Sequence, residues 1–455
     1  MTKNSLNIAV ANDKIRSMKK FKILTYGCQM NVADSERMAG QLKKIGYTST
    51  EDFSDADLIL INTCCVRAAA EDKVYGKIGE IKNFKRQKPS MIFGITGCMA
   101  QKEGENLIRR APHIDFVLGT GQAGELAHVV EGLETLRGHV VNTSNVSGKI
   151  DIEKISPIRG GGISTFVPIM YGCDNFCTYC IVPYVRGRER SRLPEEIFSE
   201  IRGAVAEGYK EITLLGQNVN SYGKDHKKAS FAGLLSEADK IEGVERLRFM
   251  TSHPKDLSDE LISAIADGKN ICEHIHLPVQ YGSDRILQKM NRIYTVEKYL
   301  RLVEKIRAKI PKVSLTTDLI VGFPGETEED FQMTLDFLRE VKFDSAFTFI
   351  YSKRSGTPAA NFPEQVDDET KHRRLEELMS VQSEISLEKN KALQDATVEV
   401  LVEGASKTDE KIFTGRTRTN KIVLFEHGDE KIGELIKVKI TQPQTWLLKG
   451  VKVEK

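Results

Sequence analysis

Three cysteines within eight residues, Cys173, Cys177 and Cys180, constrain this 455-residue chain more than any other feature of its sequence. Their spacing is C-x3-C-x2-C, and we call them the first triad. A structural zinc ion needs four tetrahedral ligands, usually two C-x2-C pairs, and no fourth cysteine or histidine lies nearby. Three thiolates on a 4Fe–4S cluster would leave one iron open to a small molecule. The ligand count therefore favours an open cluster over a zinc clip or a few buried thiols.

Length and composition set wide limits on the rest of the chain. The chain is too long for one ordinary core, so we expect roughly two to four domains. The formal net charge is +2, so any nucleic-acid binding must come from local patches. No apolar run could span a bilayer, and residues 1–20 lack an apolar signal core, which argues against secretion. Eight cysteines, mostly clustered, indicate metal ligation in a reducing cytoplasm rather than disulfides.

The first domain that the pattern predicts covers residues 21–137 and follows a loosely ordered leader over residues 1–20. Short apolar strands alternate there with helical segments, which predicts an open parallel α/β sheet. The predicted strands are Phe21–Tyr26, Ala56–Asn62, Met91–Thr96 and Phe116–Gly119, and two of the predicted helices are Val32–Ile45 and Ala68–Lys88.

Three further cysteines, Cys28, Cys64 and Cys98, each follow one of these predicted strands, and we call them the second triad. Ligands bind at the carboxyl ends of strands in open α/β sheets, so we expect the three thiols to converge on one site. Three unrelated buried cysteines are the alternative, because free cysteine is often buried. Recurrence at the same structural position favours the shared site. Cys65 competes with Cys64, since adjacent residues point to opposite faces, and we favour Cys64 as the ligand.

A polar, glycine-rich and serine-rich linker is predicted over residues 138–158, and a second domain follows over residues 159–390. Six consecutive βα units in this domain predict an open, partial (β/α)6 barrel rather than a complete eightfold one. The functional rim of such a barrel lies at the carboxyl ends of its strands. The predicted strands are Thr165–Tyr171, Glu211–Gly216, Arg246–Ser252, Glu273–Val279, Ser314–Val321 and Ser345–Tyr351.

The last part of the chain has a different sequence pattern from the two α/β domains before it. A charged amphipathic helix is predicted over Asp367–Leu393, and residues 392–455 then alternate apolar and polar side chains at period two. This alternation predicts a small OB-like β-barrel, a fold that often binds single-stranded nucleic acid. Candidate RNA contacts are Arg416, Arg418 and Lys421, although an ordinary solvated face is the alternative for these residues.

These motifs together resemble those of the radical S-adenosylmethionine (SAM) methylthiotransferases, which end in a TRAM barrel. The resemblance covers residues 20–454 and is most specific at Tyr26–Asn31, Asn62–Cys64, Cys177–Arg188 and Leu277–Gln280. The chain is most similar to the branch that acts on tRNA, because the ribosomal-protein branch usually has proline at the position of Gln29. Two departures are Cys65 and Tyr281, where many relatives carry serine.

The resemblance implies two 4Fe–4S clusters and SAM as cofactors. The cluster on the first triad would cleave SAM reductively, and the cluster on the second triad would hold the sulfur. The implied substrate is an N6-prenylated adenosine at position 37, in the anticodon stem-loop of tRNA, and the implied product is its 2-methylthio derivative. The implied partners are a low-potential electron donor and a sulfur or Fe–S supply system. We expect a monomer with no membrane contact.

The resemblance and the rim position also suggest residues that bind the cofactor and the RNA. Gln217, Ser252, Gln280 and Arg292 are candidates for polar contacts to SAM, although they could merely cap strand ends. Four arginines that follow the first triad could hold RNA phosphates, with an ion-paired loop as the alternative. They are Arg186, Arg188, Arg190 and Arg192.

No acid–base residue stands out as catalytic, because the cofactor would carry the difficult step. Two other functions stay open. The first is the same chemistry on an aspartate of a ribosomal protein. The second is an iron–sulfur protein that binds RNA or transfers electrons without radical catalysis.

Overall fold

Three β-systems follow one another along the chain. The computed structural model describes residues 18–64, 68–136, 138–144, 155–226 and 229–453. Within these ranges the protein has a six-stranded sheet, two three-stranded sheets that form a partial barrel, and a closed five-stranded barrel. Cys65 and most of the predicted leader lie outside the described residues. None of the helices in these ranges is both long and apolar enough to cross a bilayer.

The N-terminal sheet confirms the predicted open parallel α/β architecture. Its strands run in the spatial order β2-β1-β3-β4-β5-β6, and every neighbouring pair is parallel. The strands are β1 (Lys19–Tyr26), β2 (Tyr47–Ser49), β3 (Leu58–Thr63), β4 (Ile92–Gly97), β5 (Phe116–Leu118) and β6 (Val140–Asn142). The helices are α1 (Gln29–Lys44), α2 (Ala68–Gln87), α3 (Cys98–Glu103), α4 (Glu105–Arg110) and α5 (Leu126–Thr135).

The central strands β3 and β4 are buried along their whole length, as expected for parallel strands covered on both faces. The sequence pattern misses β2 and β6, which have three residues each and, unlike the equally short β5, are only partly buried. Strand β6 lies inside the stretch that the composition predicts as a linker, since its polar surroundings hide a short pairing with β5.

The middle part of the chain confirms the partial barrel. The two three-stranded sheets have the orders β11-β10-β7 and β12-β13-β14, and a parallel bridge between Leu247 and Ile271 connects them. The strands are β7 (Ser164–Pro168), the short pair β8 (Met170–Tyr171) and β9 (Arg190–Ser191), β10 (Glu211–Leu215), β11 (Arg246–Phe249), β12 (His274–His276), β13 (Ser314–Val321) and β14 (Ser345–Ile350). The helices are α6 (Val182–Arg186), α7 (Pro194–Ala206), α8 (Phe231–Ala238), α9 (Asp259–Asp267), α10 (Asp284–Lys289), α11 (Val296–Lys309) and α12 (Glu328–Val341).

The C-terminal part confirms a connector helix followed by a small all-β barrel. Helix α13 (Asp368–Lys391) packs along β14 and leads into the barrel. The barrel closes in the order β15-β16-β17-β19-β18 around a core that includes Val400, Phe425 and Val438. Its strands are β15 (Thr397–Ala405), β16 (Ile412–Thr417), β17 (Ile422–Glu426), β18 (Leu435–Pro443) and β19 (Leu448–Lys452).

Reciprocal arginine contacts dock this barrel on the amino ends of the partial-barrel strands. Arg248 of β11 donates to the carbonyl oxygens of Thr417 at 2.8 Å and Arg418 at 2.9 Å. Its Nε also donates to Glu211 at 2.7 Å. In return, Arg418 donates to both carboxylate oxygens of Glu273, at 2.8–3.1 Å. The position of the barrel therefore depends on hydrogen bonds that run in both directions across the junction.

Replacing Arg418 should loosen this docking. Arg418→Ala removes a charged hydrogen-bond donor from Glu273 and from the carbonyl oxygens of Lys269 and Ile271. Bonds to charged groups contribute about 1.5–3 kcal/mol each, so we expect the barrel's thermal transition to fall by at least about 5 °C. Scanning calorimetry measures this, with the exposed Lys437→Ala as the matched control. Equal transitions for the two variants would show that the Arg418 contacts do not stabilise the docking.

Candidate functional site

The first triad lies on a tightly held loop that follows β8. The Cys173 backbone N–H donates to the Gly187 carbonyl at 3.1 Å, and the Cys180 N–H donates to the Cys177 carbonyl at 3.0 Å. Gly172, immediately before the triad, has φ +78°, and a Cβ there would lie 2.0 Å from the Arg188 carbonyl oxygen. Only glycine fits this close approach, which explains why Gly172 precedes the first cysteine.

Cys173 and Cys177 are buried, Cys180 is half-buried, and the sulfur atoms of the first two accept N–H donors. Asn175 Nδ2 donates to Cys173 Sγ at 3.4 Å, and Arg292 Nη1 donates to Cys177 Sγ at 3.5 Å. Burial raises the pKa of Cys173 to about 11, and burial followed by the neighbouring Cys177 raises that of Cys180 to about 12. Hydrogen bonds to sulfur and low solvent exposure are the features that tune iron–sulfur clusters, so this loop fits such a group.

The second triad occupies equivalent ends of three adjacent strands. Tyr26 of β1 pairs with Thr63 of β3, and Thr63 pairs with Gly97 of β4. Cys28 follows two residues after β1 and caps α1, whereas Cys64 directly follows β3 and Cys98 is the first residue of α3. The register therefore brings the three predicted positions to one edge of the sheet, as expected from the sequence.

A buried asparagine network, which the sequence reasoning missed, connects two members of the second triad. The Cys28 N–H donates to Asn31 Oδ1 at 3.2 Å, and Asn31 Nδ2 donates to Asn62 Oδ1 at 3.0 Å and to the Thr63 carbonyl at 3.2 Å. A Cβ at Gly27 would lie 2.2 Å from Asn31 Oδ1. The sequence signal was present, because these residues lie in the two motifs that carry the family resemblance.

The strands that lead to the second triad lie side by side. The backbone ends of β1 and β4 are two strand spacings apart, or roughly 10 Å. Among the described residues, no three His, Cys, Asp or Glu side chains form an arrangement that holds a single metal ion. The choice between Cys64 and Cys65 stays a prediction, because Cys65 falls outside the described ranges.

One short helix separates the two triads. Helix α6 has five residues and begins two positions after Cys180. Ile181, at its N-terminal edge, and Val185 within it pack against Cys98 in one buried cluster. The first triad is therefore joined through α6 to a thiol of the second triad.

Arg186 ends α6 and is buried, with its side chain 6% exposed. Its Nη2 lies 3.1 Å from Asp34 Oδ2. Burial lowers the pKa of Arg186, but Cys98, Asp34 and Cys28 together raise it well above the usual value, and the guanidinium hydrogen-bonds Cys98. The expectation that Arg186 binds RNA phosphates is wrong, because its charge is directed at the second triad inside the protein.

The other three arginines of this segment differ in exposure. Arg192 is buried and pairs with Glu200 at 2.7 Å, and Arg37 of α1 pairs with the same carboxylate at 2.8 Å. The expectation of RNA contact is therefore wrong for Arg192, which helps to hold the N-terminal sheet on the partial barrel. Arg190 is half-buried, whereas Arg188 is 72% exposed with its guanidinium 4.6 Å from the ring centre of Phe176. RNA contact by these two stays a prediction.

The basic residues expected to bind RNA from the barrel are also used inside the protein. Arg416 pairs with Glu403 at 2.9 Å, and Lys421 pairs with Asp344 at 2.9 Å. Arg418 forms the docking contact described above. Each of the three cations therefore already has a carboxylate partner, and their contact with RNA stays a prediction.

The four SAM candidates divide into two groups. Ser252 Oγ and Gln217 Oε1 are buried at the rim without a hydrogen-bond partner in the described residues. The Ser252 hydroxyl could therefore donate a hydrogen bond to a polar ligand or accept one, and Gln217 Oε1 could accept one. Gln280 is buried with φ +75°, a left-handed backbone that non-glycine residues rarely adopt. Arg292 already donates hydrogen bonds to Cys177 Sγ and, at 2.6 Å, to the Pro278 carbonyl oxygen. Arg292 therefore contacts the first triad, and SAM binding by the four candidates stays a prediction.

Profiles of three families match the chain in order. The Uncharacterized protein family UPF0004 matches residues 20–119, the Radical SAM superfamily matches residues 167–338, and the TRAM domain matches residues 391–453. Among solved structures, the radical SAM methyltransferase TsrM from Kitasatospora setae aligns with a TM-score of 0.56 at 16% identity, over 75% of this chain and 74% of that one. The cobalamin-dependent radical SAM enzyme OxsB aligns at 0.52 and 13%, over 80% and 56%. These likenesses show the fold. The three matches together define the class as a radical SAM protein with a C-terminal TRAM domain.

Curated relatives give the family. A tRNA-2-methylthio-N(6)-dimethylallyladenosine synthase of Carboxydothermus hydrogenoformans is 55% identical over 96% of this chain and 99% of its own length. Its counterpart in Thermoanaerobacter pseudethanolicus is 52% identical over 95% and 93%. That of Clostridium botulinum strain Hall is 51% identical over 98% and 100%. The chain belongs to the family of tRNA-2-methylthio-N(6)-dimethylallyladenosine synthases.

Two neighbouring arginines allow a direct test of the buried contact between α6 and the N-terminal sheet. Arg186→Gln breaks a buried ion pair, which destabilises a protein by about 3–5 kcal/mol, whereas Arg188→Gln removes an exposed pair worth about 0–1 kcal/mol. We therefore expect Arg186→Gln to lower the urea midpoint clearly and Arg188→Gln to leave it nearly unchanged. Equal midpoints would contradict the placement of Arg186 inside the protein.

Proposed function

We propose that this enzyme converts an N6-prenylated adenosine at position 37 of tRNA into its 2-methylthio derivative. The names of relatives that match nearly the whole chain support this substrate. The observation that supports the proposal is the contact of α6, which follows directly after the first triad, with Cys98 of the second triad, since the reaction needs one site that starts it and another that holds the sulfur.

The first triad would hold a 4Fe–4S cluster, with Gln217, Ser252 and Gln280 around SAM. That cofactor pair supplies a 5′-deoxyadenosyl radical, which can open an unactivated C–H bond. The chain's own task is to orient these groups and to exclude water. Arg292 fixes Cys177 by the contact to its sulfur, and Asn175 does the same for Cys173. The unpartnered oxygens of Ser252 and Gln217 then face a ligand that can satisfy them.

The second triad would hold the sulfur-carrying cluster through Cys28, Cys64 and Cys98. Cys64 and Cys98 are buried, and buried thiolates carry negative charge that needs compensation. Arg186 supplies a positive charge at this position, since its guanidinium lies between Asp34 and the Cys98 thiol. The Asn31–Asn62 bond keeps the Cys28 loop and the end of β3 in register. Sulfur replacement and reduction would come from a supply system and a low-potential donor.

The proposed division of labour predicts different losses for the two triads. Replacing Cys28, Cys64 and Cys98 together by alanine should leave about half of the iron after anaerobic reconstitution and keep reductive cleavage of SAM. This variant should nevertheless insert no sulfur into tRNA. Replacing the first triad should also leave about half of the iron but abolish SAM cleavage. Iron analysis and quantification of 5′-deoxyadenosine measure both results.

Cys272 provides a matched control for these variants. It is buried and lies at the amino end of β12, away from the rim, so Cys272→Ala should retain full iron and both activities. Nucleoside analysis of tRNA from a strain that lacks the protein then tests the substrate. Unchanged 2-methylthio content of that tRNA would contradict the proposed function, and full iron in the second-triad variant would contradict the second site.

A further inference from the structure

A cavity of about 240 Å³ lies between the partial barrel and the C-terminal barrel. Its walls include β12 and the first halves of β13 and β14 on one side, and Arg416 with barrel residues 419–422 and 445–447 on the other. None of the six triad cysteines and none of the SAM candidates lines it. The cavity is therefore separate from the cofactor site already described.

Two large aromatic rings face this cavity and remain open to solvent. Phe347 is 53% exposed and Trp446 is 60% exposed, although most other large apolar side chains of the described residues are buried. The Phe347 ring packs edge-on against His276 with its centre 5.8 Å away, which fixes its orientation. Exposed, oriented rings of this kind commonly mark the binding of a ligand with a flat apolar face.

The rest of the lining offers hydrogen bonds but little uncompensated charge. Thr316 Oγ1 lies 3.1 Å from His274 Nε2 and 3.0 Å from His276 Nδ1. Burial lowers the pKa of His274 well below its usual value, so this ring is neutral. Lys421 is paired with Asp344. A ligand for this cavity should therefore combine a flat face with hydrogen-bonding edges and should not depend on ionic contacts.

We propose that the cavity binds one unstacked nucleobase of the RNA substrate, which stacks on Trp446 and Phe347. The inference rests on the proposed function, which supplies the RNA. Bases of single-stranded loops are recognised by stacking on aromatic side chains and by hydrogen bonds to their edges. The cavity begins at His274, and the rim residue Gln280 lies six residues further along the same segment, at most ~20 Å away. One folded RNA arm can therefore reach the cavity and the rim together.

The sequence provides a direct probe, because Trp446 is the single tryptophan of the chain. Stacking of a base on its ring should quench its fluorescence when an anticodon stem-loop RNA is added to the reconstituted protein. The quenching should be half-maximal at an RNA concentration equal to the dissociation constant, which anisotropy of a labelled RNA measures independently. An RNA that binds with no change in Trp446 emission would overturn the proposal.

Affinity measurements across a salt series separate stacking from ionic contact. Trp446→Leu and Phe347→Leu should each weaken binding at least about fivefold, because a base stacked on an aromatic ring contributes about 1–3 kcal/mol. The slope of log affinity against log salt should equal that of the wild type, since no phosphate contact is lost. Trp446→Phe should restore most of the affinity, because it retains an aromatic face.

Matched controls distinguish this inference from the proposed function. Met333→Ala removes an exposed apolar side chain from α12, outside the cavity, and should leave RNA affinity unchanged. Trp446→Leu should raise the KM for RNA and leave kcat at saturating RNA unchanged. If the wild type binds no RNA, the proposed function fails. If the wild type binds RNA and Trp446→Leu binds it equally well, the nucleobase site alone fails.

Discussion

The contact between α6 and Cys98 is the interaction on which the rest of the site depends. Ile181 and Val185 pack on this thiol, and the same helix begins two residues after the last cysteine of the first triad. A shift of α6 would therefore move both triads at once. Buried apolar contacts of this kind are close-packed and resist small displacements, so the distance between the two sites is fixed by packing rather than by a flexible linker.

Arginine provides the polar counterpart of this packing. Glu200 of α7 lies close to Arg37 from the N-terminal sheet and Arg192 from the loop after the first triad. Arg248 and Arg418 likewise form hydrogen bonds between the partial barrel and the C-terminal barrel. A guanidinium has five donors in a rigid plane, so one side chain can satisfy a carboxylate and backbone carbonyls together. This capacity explains why arginines make several of the contacts between the three β-systems, beside the Lys421–Asp344 pair.

The sequence predicted the architecture well because strand–helix alternation and period two are local patterns. Five of the six partial-barrel strands were found with small errors at their ends, but the stretch Thr165–Tyr171 is split into β7 and β8. The alignment of the second triad was also predictable, since parallel strands share one carboxyl edge. The partners of the arginine side chains could not be predicted from the sequence. The sequence pattern indicates surface cations at Arg186, Arg192 and Arg418. Only the tertiary structure brings carboxylates to these residues, in two of the pairs over more than a hundred positions of sequence.

The C-terminal barrel docks at the opposite ends of the strands from the triads. Both triads lie at carboxyl ends of parallel strands, where backbone termini and loops leave room for ligands. The barrel instead docks at the amino ends, through Arg248 and Glu273. It therefore leaves the carboxyl-end rim open, and under the proposed function it would contact RNA from the side of the partial barrel. Among the described residues no further strand pairs with the outer edge of β14, so Phe347 stays exposed there, and Trp446 of the C-terminal barrel lines the same cavity. Under the proposed function, this incomplete closure would give a large substrate access to the cofactor site.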